Sequence, residues 1–110
     1  MFFKNGMMKT INILYIGRHF EILETVIRLI NANENWNGVG VMKDEEAKEV
    51  FRNKNFSVVL LGSGIQEESE IKLCAFFKKQ NPTIVVVQHY GGGSGVLKSE
   101  ILLALENNKN

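Results

Sequence analysis

The chain has 110 residues, a length that corresponds to one domain. Its hydrophobic fraction of 45% and charged fraction of 23% exclude an intrinsically disordered chain, and the single cysteine excludes an intramolecular disulfide. Because the net charge is only +1, no long-range field would recruit nucleic acid or an anionic membrane, and we expect neither as a partner.

Residues 1–9 are predicted to form a flexible leader at the start of a single domain that spans residues 1–110. This segment is too short and too polar for a signal peptide, whose apolar stretch needs about 7–15 residues. No run in the sequence approaches the roughly 18 consecutive apolar residues of a membrane span. The sequence therefore predicts a cytoplasmic protein.

The first half of the chain alternates between strand-type and helix-type patterns. Residues 11–16 form a nearly continuous apolar run, which is typical of a strand covered on both faces. Apolar residues at helical spacing over 20–30 predict the first helix, and the asparagines of 31–35 end it. A weaker strand is predicted around 36–41.

The second half continues the alternation. Asp44 is predicted to cap the second helix, which closes at residues 52–55. A third strand over 56–61 precedes a helix over about 66–80, whose basic end suits the negative pole of the helix. The fourth strand, over 83–88, has the strongest β pattern in the chain.

The last helix is predicted to follow a glycine loop over 91–95, and residues 107–110 are predicted to be a flexible tail. The full order of elements is therefore β-α-β-α-β-α-β-α. Strands that alternate with helices favour right-handed crossovers and a parallel sheet with helices on both faces. We predict a three-layer α/β/α, doubly wound domain.

This order, its spacing and its strand character resemble the receiver domains of two-component response regulators up to about residue 90. Those domains share a flavodoxin-like fold with strand order 2-1-3-4-5. The resemblance implies the order 2-1-3-4 for this chain, with no clear fifth strand.

The strand ends lack the acids that the resemblance implies for phosphorylation. Gly17 and Arg18 match the pair of acids that follows strand one and helps to hold magnesium in receivers. Gly62 matches the aspartate that accepts the phosphoryl group, and Gln88 matches the switch threonine or serine. The lysine that ends strand five has no counterpart. Asp44, the sole aspartate, lies far along the sequence from these positions, so we predict a pseudo-receiver.

The glycine segments around the third and fourth strand ends are candidate anion-binding sites, because glycines and helix N-termini present backbone N–H groups to phosphate. The candidate residues are Gly62, Ser63, Gly64, Gly92, Gly93, Ser94, Gly95 and Lys98. The alternative interpretation is that 62–64 fills space left by lost acids, whereas 91–95 is a hinge with Ser94 as the helix cap.

A fourth strand without a neighbour would leave an exposed sheet edge, which proteins normally cover or pair. We therefore predict an interface along this edge and the last helix, with a second copy of the chain or with another signalling protein. The candidate interface residues are Arg18, Val85, Val87, His89 and Tyr90. We interpret His19 and His89 as exposed loop residues rather than as metal ligands.

Two functions are compatible with this pattern. The first is a non-catalytic pseudo-receiver, which acts as a protein-interaction or regulatory module of bacterial signalling and is not phosphorylated on aspartate. The alternative is a small-molecule or phosphate-anion-binding domain that uses the glycine segments at the carboxyl ends of the strands. No acid–base or nucleophile–base pair can be assembled from the strand ends, so we expect no enzyme, cofactor or metal.

Overall fold

Strands and helices alternate strictly along the chain. The computed structural model describes residues 10–91 and 93–108, so the predicted leader over 1–9 lies outside the described residues. The elements are β1 (Ile11–Ile16), α1 (Phe20–Asn31), β2 (Trp36–Val41), α2 (Asp44–Asn53), β3 (Val58–Leu61), α3 (Glu67–Gln80), β4 (Val85–Gln88) and α4 (Gly93–Asn108). This order confirms the predicted sequence of elements.

The four strands form one parallel sheet in the order β2-β1-β3-β4. Ile16, at the end of β1, is in register with Val41 on one side and with Leu61 on the other. Leu61 is in turn in register with Gln88. All four strands therefore end at one level, which we call the carboxyl edge, and the predicted strand order is confirmed.

The strands of the sheet centre are apolar on both faces, and each face contacts a different pair of helices. Ile13 and Tyr15 of β1 pack in a cluster with α1 and α4. Leu14 and Ile16, the alternate residues, pack in a cluster with α2 and α3. Because side chains alternate between faces along a strand, a nearly continuous apolar run produces three layers.

Each helix buries one face and leaves the other in solvent. On the side of α1 and α4, the buried positions recur at intervals of three and four, which places them on one face. They are Leu23, Val26, Ile30, Leu97, Ile101 and Ala104. Within residues 10–91 and 93–108, no helix has the length and apolar character needed to cross a bilayer.

A group of aromatic rings lies within the layer of α2 and α3. The Phe51 ring stacks on Phe56 at a centroid distance of 5.8 Å, and its centroid lies 4.6 Å from that of Phe77. Phe76 lies at the edge of this group, with the Arg52 guanidinium 5.1 Å from its ring centroid. Each buried phenylalanine contributes about 1.5–3 kcal/mol of hydrophobic stabilisation.

Several predicted boundaries differ from the structure for local reasons. β4 begins at Val85 rather than at residue 83, because Thr83 and Ile84 bond back to Asn81 and form a turn. Asn107 and Asn108 belong to α4 rather than to a flexible tail, and residues 109–110 lie outside the described part.

The predicted caps of two helices are also wrong. Lys43 occupies the N-cap position of α2, and Asp44 is the first helical residue, with its carboxylate bonded to a side chain elsewhere. α4 begins at Gly93, so Ser94 lies inside its first turn and the predicted glycine loop is shorter than 91–95. Gly91 and Gly93 have φ values of +104° and +89°, which favour glycine.

Truncation of two neighbouring apolar residues of α3 tests this assignment of core and surface. Leu73 is fully buried, whereas Ile71 is 62% exposed. We expect Leu73→Ala to lower the free energy of unfolding by about 2–5 kcal/mol, because it leaves a cavity in the packed layer. Ile71→Ala is the matched control and should change it by about 0.5 kcal/mol or less. Urea unfolding followed by circular dichroism measures both, and equal effects would contradict the packing.

Candidate functional site at the carboxyl edge

Backbone hydrogen bonds hold the residues that follow the strands close together. Gly17, which follows β1, donates its N–H to the carbonyl that ends β2, at 3.1 Å. Gly62 donates to the carbonyl of Ile16 at 2.8 Å, and His89 donates to that of Leu61 at 2.8 Å. The structure therefore brings together the positions that the sequence predicts at this edge.

The Tyr15 side chain fills the space in front of β1 and β3. Tyr15 is only 2% exposed. A Cβ atom at Gly17 would lie 2.6 Å from the Tyr15 ring, and one at Gly62 would lie 2.8 Å from its Cζ atom and against its hydroxyl. Neither position can carry a side chain while the ring stays in place. These two glycines thus make room for the ring.

The surroundings of Tyr15 keep its phenol neutral. Burial raises the pKa of the Tyr15 hydroxyl above its ordinary value. The ring meets the His89 imidazole edge-on, with centroids 6.5 Å apart and planes at 75°. The phenol is therefore neutral at neutral pH, and its ring packs against Gly17, Gly62 and His89.

His89 is buried, which corrects the interpretation of this residue as an exposed, interface-facing histidine. It is 5% exposed, and its Nδ1 lies 2.5 Å from Oε1 of Glu100. Glu100 lies on α4, which folds back over the sheet directly after the short connection from β4. His19, in contrast, is exposed as predicted.

Arg18 and Asp44 form an ion pair at the carboxyl edge, which joins the loop after β1 to the start of α2. The Arg18 Nη2 lies 2.6 Å from Oδ1 of Asp44, and its Nη1 donates to the Met42 carbonyl at 2.5 Å. Burial opposes ionisation of Asp44, but hydrogen bonds from Arg18 and Ser69 and the charges of Arg18 and Lys48 outweigh it, so its pKa is lowered. The sole aspartate of the sequence is therefore engaged with Arg18.

Gln88 takes part in a chain of polar contacts on the surface. Its amide donates to Glu70 of α3, and its carbonyl oxygen accepts a hydrogen bond from the Tyr90 hydroxyl. Tyr90, one of the candidate interface residues, is 75% exposed. Val85 and Val87 are half-buried against the cluster of α1 and α4.

The described residues of the two glycine segments do not line the same groove. A groove of about 320 Å³ is bounded by Gly91, Gly93, His89 and α1, and residues 62–64 do not line it. Gly62 is buried, whereas Ser63 and Gly64 are exposed. Gly92 and the Ser94 side chain lie outside the described residues, and Lys98 is exposed on α4. In the described part of the chain, no group of three or more His, Cys, Asp or Glu side chains could hold a metal.

No protein-family model and no curated protein matches this chain. Several solved structures do match its fold. The signal receiver domain of an HD domain-containing protein from Pseudomonas fluorescens Pf-5 superposes with a TM-score of 0.77 at 12% identity, over 92% of this chain and 90% of that one. The receiver domain of a Francisella response regulator gives 0.66 at 12% identity, over 91% and 98%.

A third match is the isolated REC domain of RcsB from Salmonella enterica serovar Typhimurium, solved in the presence of the phosphomimetic BeF3−. It has a TM-score of 0.60 at 14% identity, over 87% of this chain and 72% of that one. At such low identity the likeness concerns the fold alone. It confirms the receiver-like, flavodoxin-like fold that the sequence resemblance implies.

Alanine at Gly62 tests the role of the Tyr15 ring. We expect Gly62→Ala to lower the free energy of unfolding by about 1–3 kcal/mol, because its Cβ collides with the ring. In a Tyr15→Leu background the same change should cost less, and urea unfolding of all variants measures this coupling. Gly95→Ala is the control, since its Cβ meets no atom within 4 Å and a helix favours alanine. Equal costs in both backgrounds would contradict the collision.

Acid unfolding tests the Arg18–Asp44 pair. A lowered pKa in the folded protein means that the pair stabilises the fold above the ordinary aspartate pKa of 3.8, and that this stabilisation is lost as the pH falls through the lowered value. We expect wild type to exceed Asp44→Asn in stability at neutral pH, and this difference to shrink in acid below pH 3.8. The exposed Glu46→Gln is the control, and a pH-independent difference would contradict the ion pair.

Proposed function

We propose that this receiver-fold chain is a non-catalytic pseudo-receiver, a cytoplasmic regulatory module of bacterial signalling that acts through a binding surface. The observation that carries this proposal is the Tyr15 ring packed against Gly17 and Gly62. At these two positions the receiver resemblance expects a metal-binding acid and the phosphoryl-accepting aspartate.

Aspartyl phosphorylation needs a free carboxylate nucleophile and oxygen ligands for Mg²⁺ at the same edge. The space at the end of β3 is filled by a neutral aromatic ring, and Gly62 has no side chain. The guanidinium of Arg18 would repel a cation, and the only aspartate, Asp44, is held by that guanidinium. These contacts support a module that does not exchange phosphoryl groups.

The surface that we assign to partner binding lies along β4 and α4. Among the described strands, β4 has β3 as its one neighbour, so its other side is a sheet edge. On α4, Val96, Leu102 and Leu103 are apolar and largely exposed. Exposed apolar side chains beside an open strand edge are characteristic of interaction sites.

Anion binding is the second candidate function, and the backbone around Gly91 and Gly93 favours it. Both residues have positive φ values, and a Cβ at either would meet no atom within 4 Å, so their backbone is accessible from solvent. For this function we expect inorganic phosphate to raise the melting temperature, and Gly95→Val to abolish that shift. An unchanged melting temperature in phosphate would exclude this candidate.

Incubation with acetyl phosphate and Mg²⁺ tests the pseudo-receiver directly. We expect intact-protein mass spectrometry to show no covalent phosphoryl adduct, because no carboxylate is available at the end of β3. A receiver domain with its aspartate intact, treated in parallel, is the positive control for the reagent. A phosphoryl adduct that hydroxylamine removes, as it removes acyl phosphates, would overturn the proposal.

A further inference from the structure

The open edge of β4 has a definite set of outward-facing backbone groups. The N–H of His89 bonds to the carbonyl of Leu61 in β3. Because backbone groups alternate in direction along a strand, Val85 and Val87 also face β3, whereas Val86 and Gln88 face outward. These two residues therefore present their N–H and C=O groups at the open edge.

Ile84 is the outward-facing residue before Val86, and both of its backbone groups are already hydrogen-bonded. The carbonyl of Ile84 accepts a hydrogen bond from Lys78 Nζ at 2.6 Å, and its N–H bonds to the carbonyl of Asn81 at 3.0 Å. At the other end, the side chain of Gln88 bonds to Glu70. Among the described residues, the unoccupied part of the edge is thus short, with Lys78 at its beginning and Glu70 at its end.

The side of α3 next to this edge repeats the same charge order. Glu70, Cys74 and Lys78 lie at intervals of four residues and so share one side of the helix, and contacts of the first and last with Gln88 and Ile84 place this side towards β4. Ile71 lies on the same side and is 62% exposed. An apolar residue therefore lies between a negative and a positive end.

We propose that the β4 edge binds a second copy of this chain, with the two β4 strands antiparallel about a two-fold axis at Val87. This proposal rests on the proposed function, because it names the partner of the same surface. In this register Val86 of each copy opposes Gln88 of the other, and each such pair exchanges N–H···O=C bonds in both directions. The outward-facing N–H and C=O groups of Val86 and Gln88 are then paired.

A register shifted towards the start of β4 fits the edge less well. A two-fold axis at Val86 would set Gln88 opposite Ile84, whose carbonyl and N–H are already bonded to Lys78 and Asn81. The Val87 register leaves those bonds intact. It joins the two sheets into one continuous sheet and keeps the bonds of Ile84 with Lys78 and Asn81.

The charges of Lys78 and Glu70 on α3 also favour the antiparallel arrangement. A two-fold axis brings the Lys78 end of one copy towards the Glu70 end of the other, so opposite charges meet twice. A parallel arrangement of the two edges would set like charges together. This self-complementarity favours a second copy over an unrelated partner.

The apolar side chains beside the edge complete the surface. Val96 and Leu103 share one side of α4 with Glu100, whose contact with His89 places this side towards the end of β4. Leu103 is 66% exposed. Together with Ile71 on the opposite layer, these residues flank the strand edge on both faces of the sheet, and pairing would bury them.

Proline at Gln88 tests the register in the full chain. Proline removes an N–H that faces outward, so the bonds between β3 and β4 stay intact. We expect sedimentation velocity to show a concentration-dependent dimer for wild type, and Gln88→Pro to raise the dimer Kd by at least about tenfold. Gln88→Ala lacks the same side-chain contacts but keeps the N–H, so it is the matched control and should dimerise nearly as wild type does.

Charge exchange tests the two-fold symmetry independently of strand pairing. Lys78→Glu and Glu70→Lys alone should each weaken self-association, because each sets like charges opposite one another. An equimolar mixture of the two variants should restore the dimer, since each negative end then meets a positive one. Far-ultraviolet circular dichroism checks that each variant retains its fold.

The outcomes separate this inference from the proposed function. A wild-type chain that is monomeric throughout the micromolar range overturns the second copy as partner, as does a dimer that Gln88→Pro leaves unchanged. Failure of the mixture to restore the dimer overturns the antiparallel arrangement. None of these results produces the acyl phosphate that would overturn the pseudo-receiver, so the two failures are distinguishable.

Discussion

The packing of the Tyr15 ring against the backbone of Gly17 and Gly62 is the contact around which the carboxyl edge is built. Tyr15 is the largest side chain of β1 and lies where the strands end. Its ring fits only because Gly17 and Gly62 carry no side chain. Burial keeps the phenol neutral, and the ring also supports the edge of the His89 imidazole. The Tyr15 ring therefore occupies space in which a Mg²⁺ site would need several charged oxygen ligands.

Two polar contacts lie on opposite sides of this ring and tie loops to helices. Arg18 joins the loop after β1 to the start of α2 through Asp44, and Glu100 joins α4 to the residue after β4. The second contact accompanies a very short connection from β4 to α4. Since the chain returns at once to the face of α1, no further strand lies beside β4 among the described residues, and the sheet keeps an open edge.

The candidate site could be predicted only in part. The absence of acids at Gly17 and Gly62 follows from strand boundaries, which short apolar runs mark clearly. The filling of the same space by Tyr15 does not follow, because its side chain belongs by alternation to the face of α1 and α4, and only its length carries the hydroxyl to the edge. The burial of His89 does not follow from the sequence either, because its partner, Glu100, lies eleven residues further along the chain.

The amino-acid sequence by itself determined the order of elements, the parallel three-layer architecture and the absence of carboxylates at Gly17 and Gly62. Each of these depends on local patterns: apolar runs, helical spacing and the residue types at strand ends. The tertiary structure alone decided which polar groups are paired and which backbone groups of β4 face outward, as at Val86 and Gln88. Those features depend on strand register and on contacts between segments distant in the chain, which periodicity along one segment does not encode.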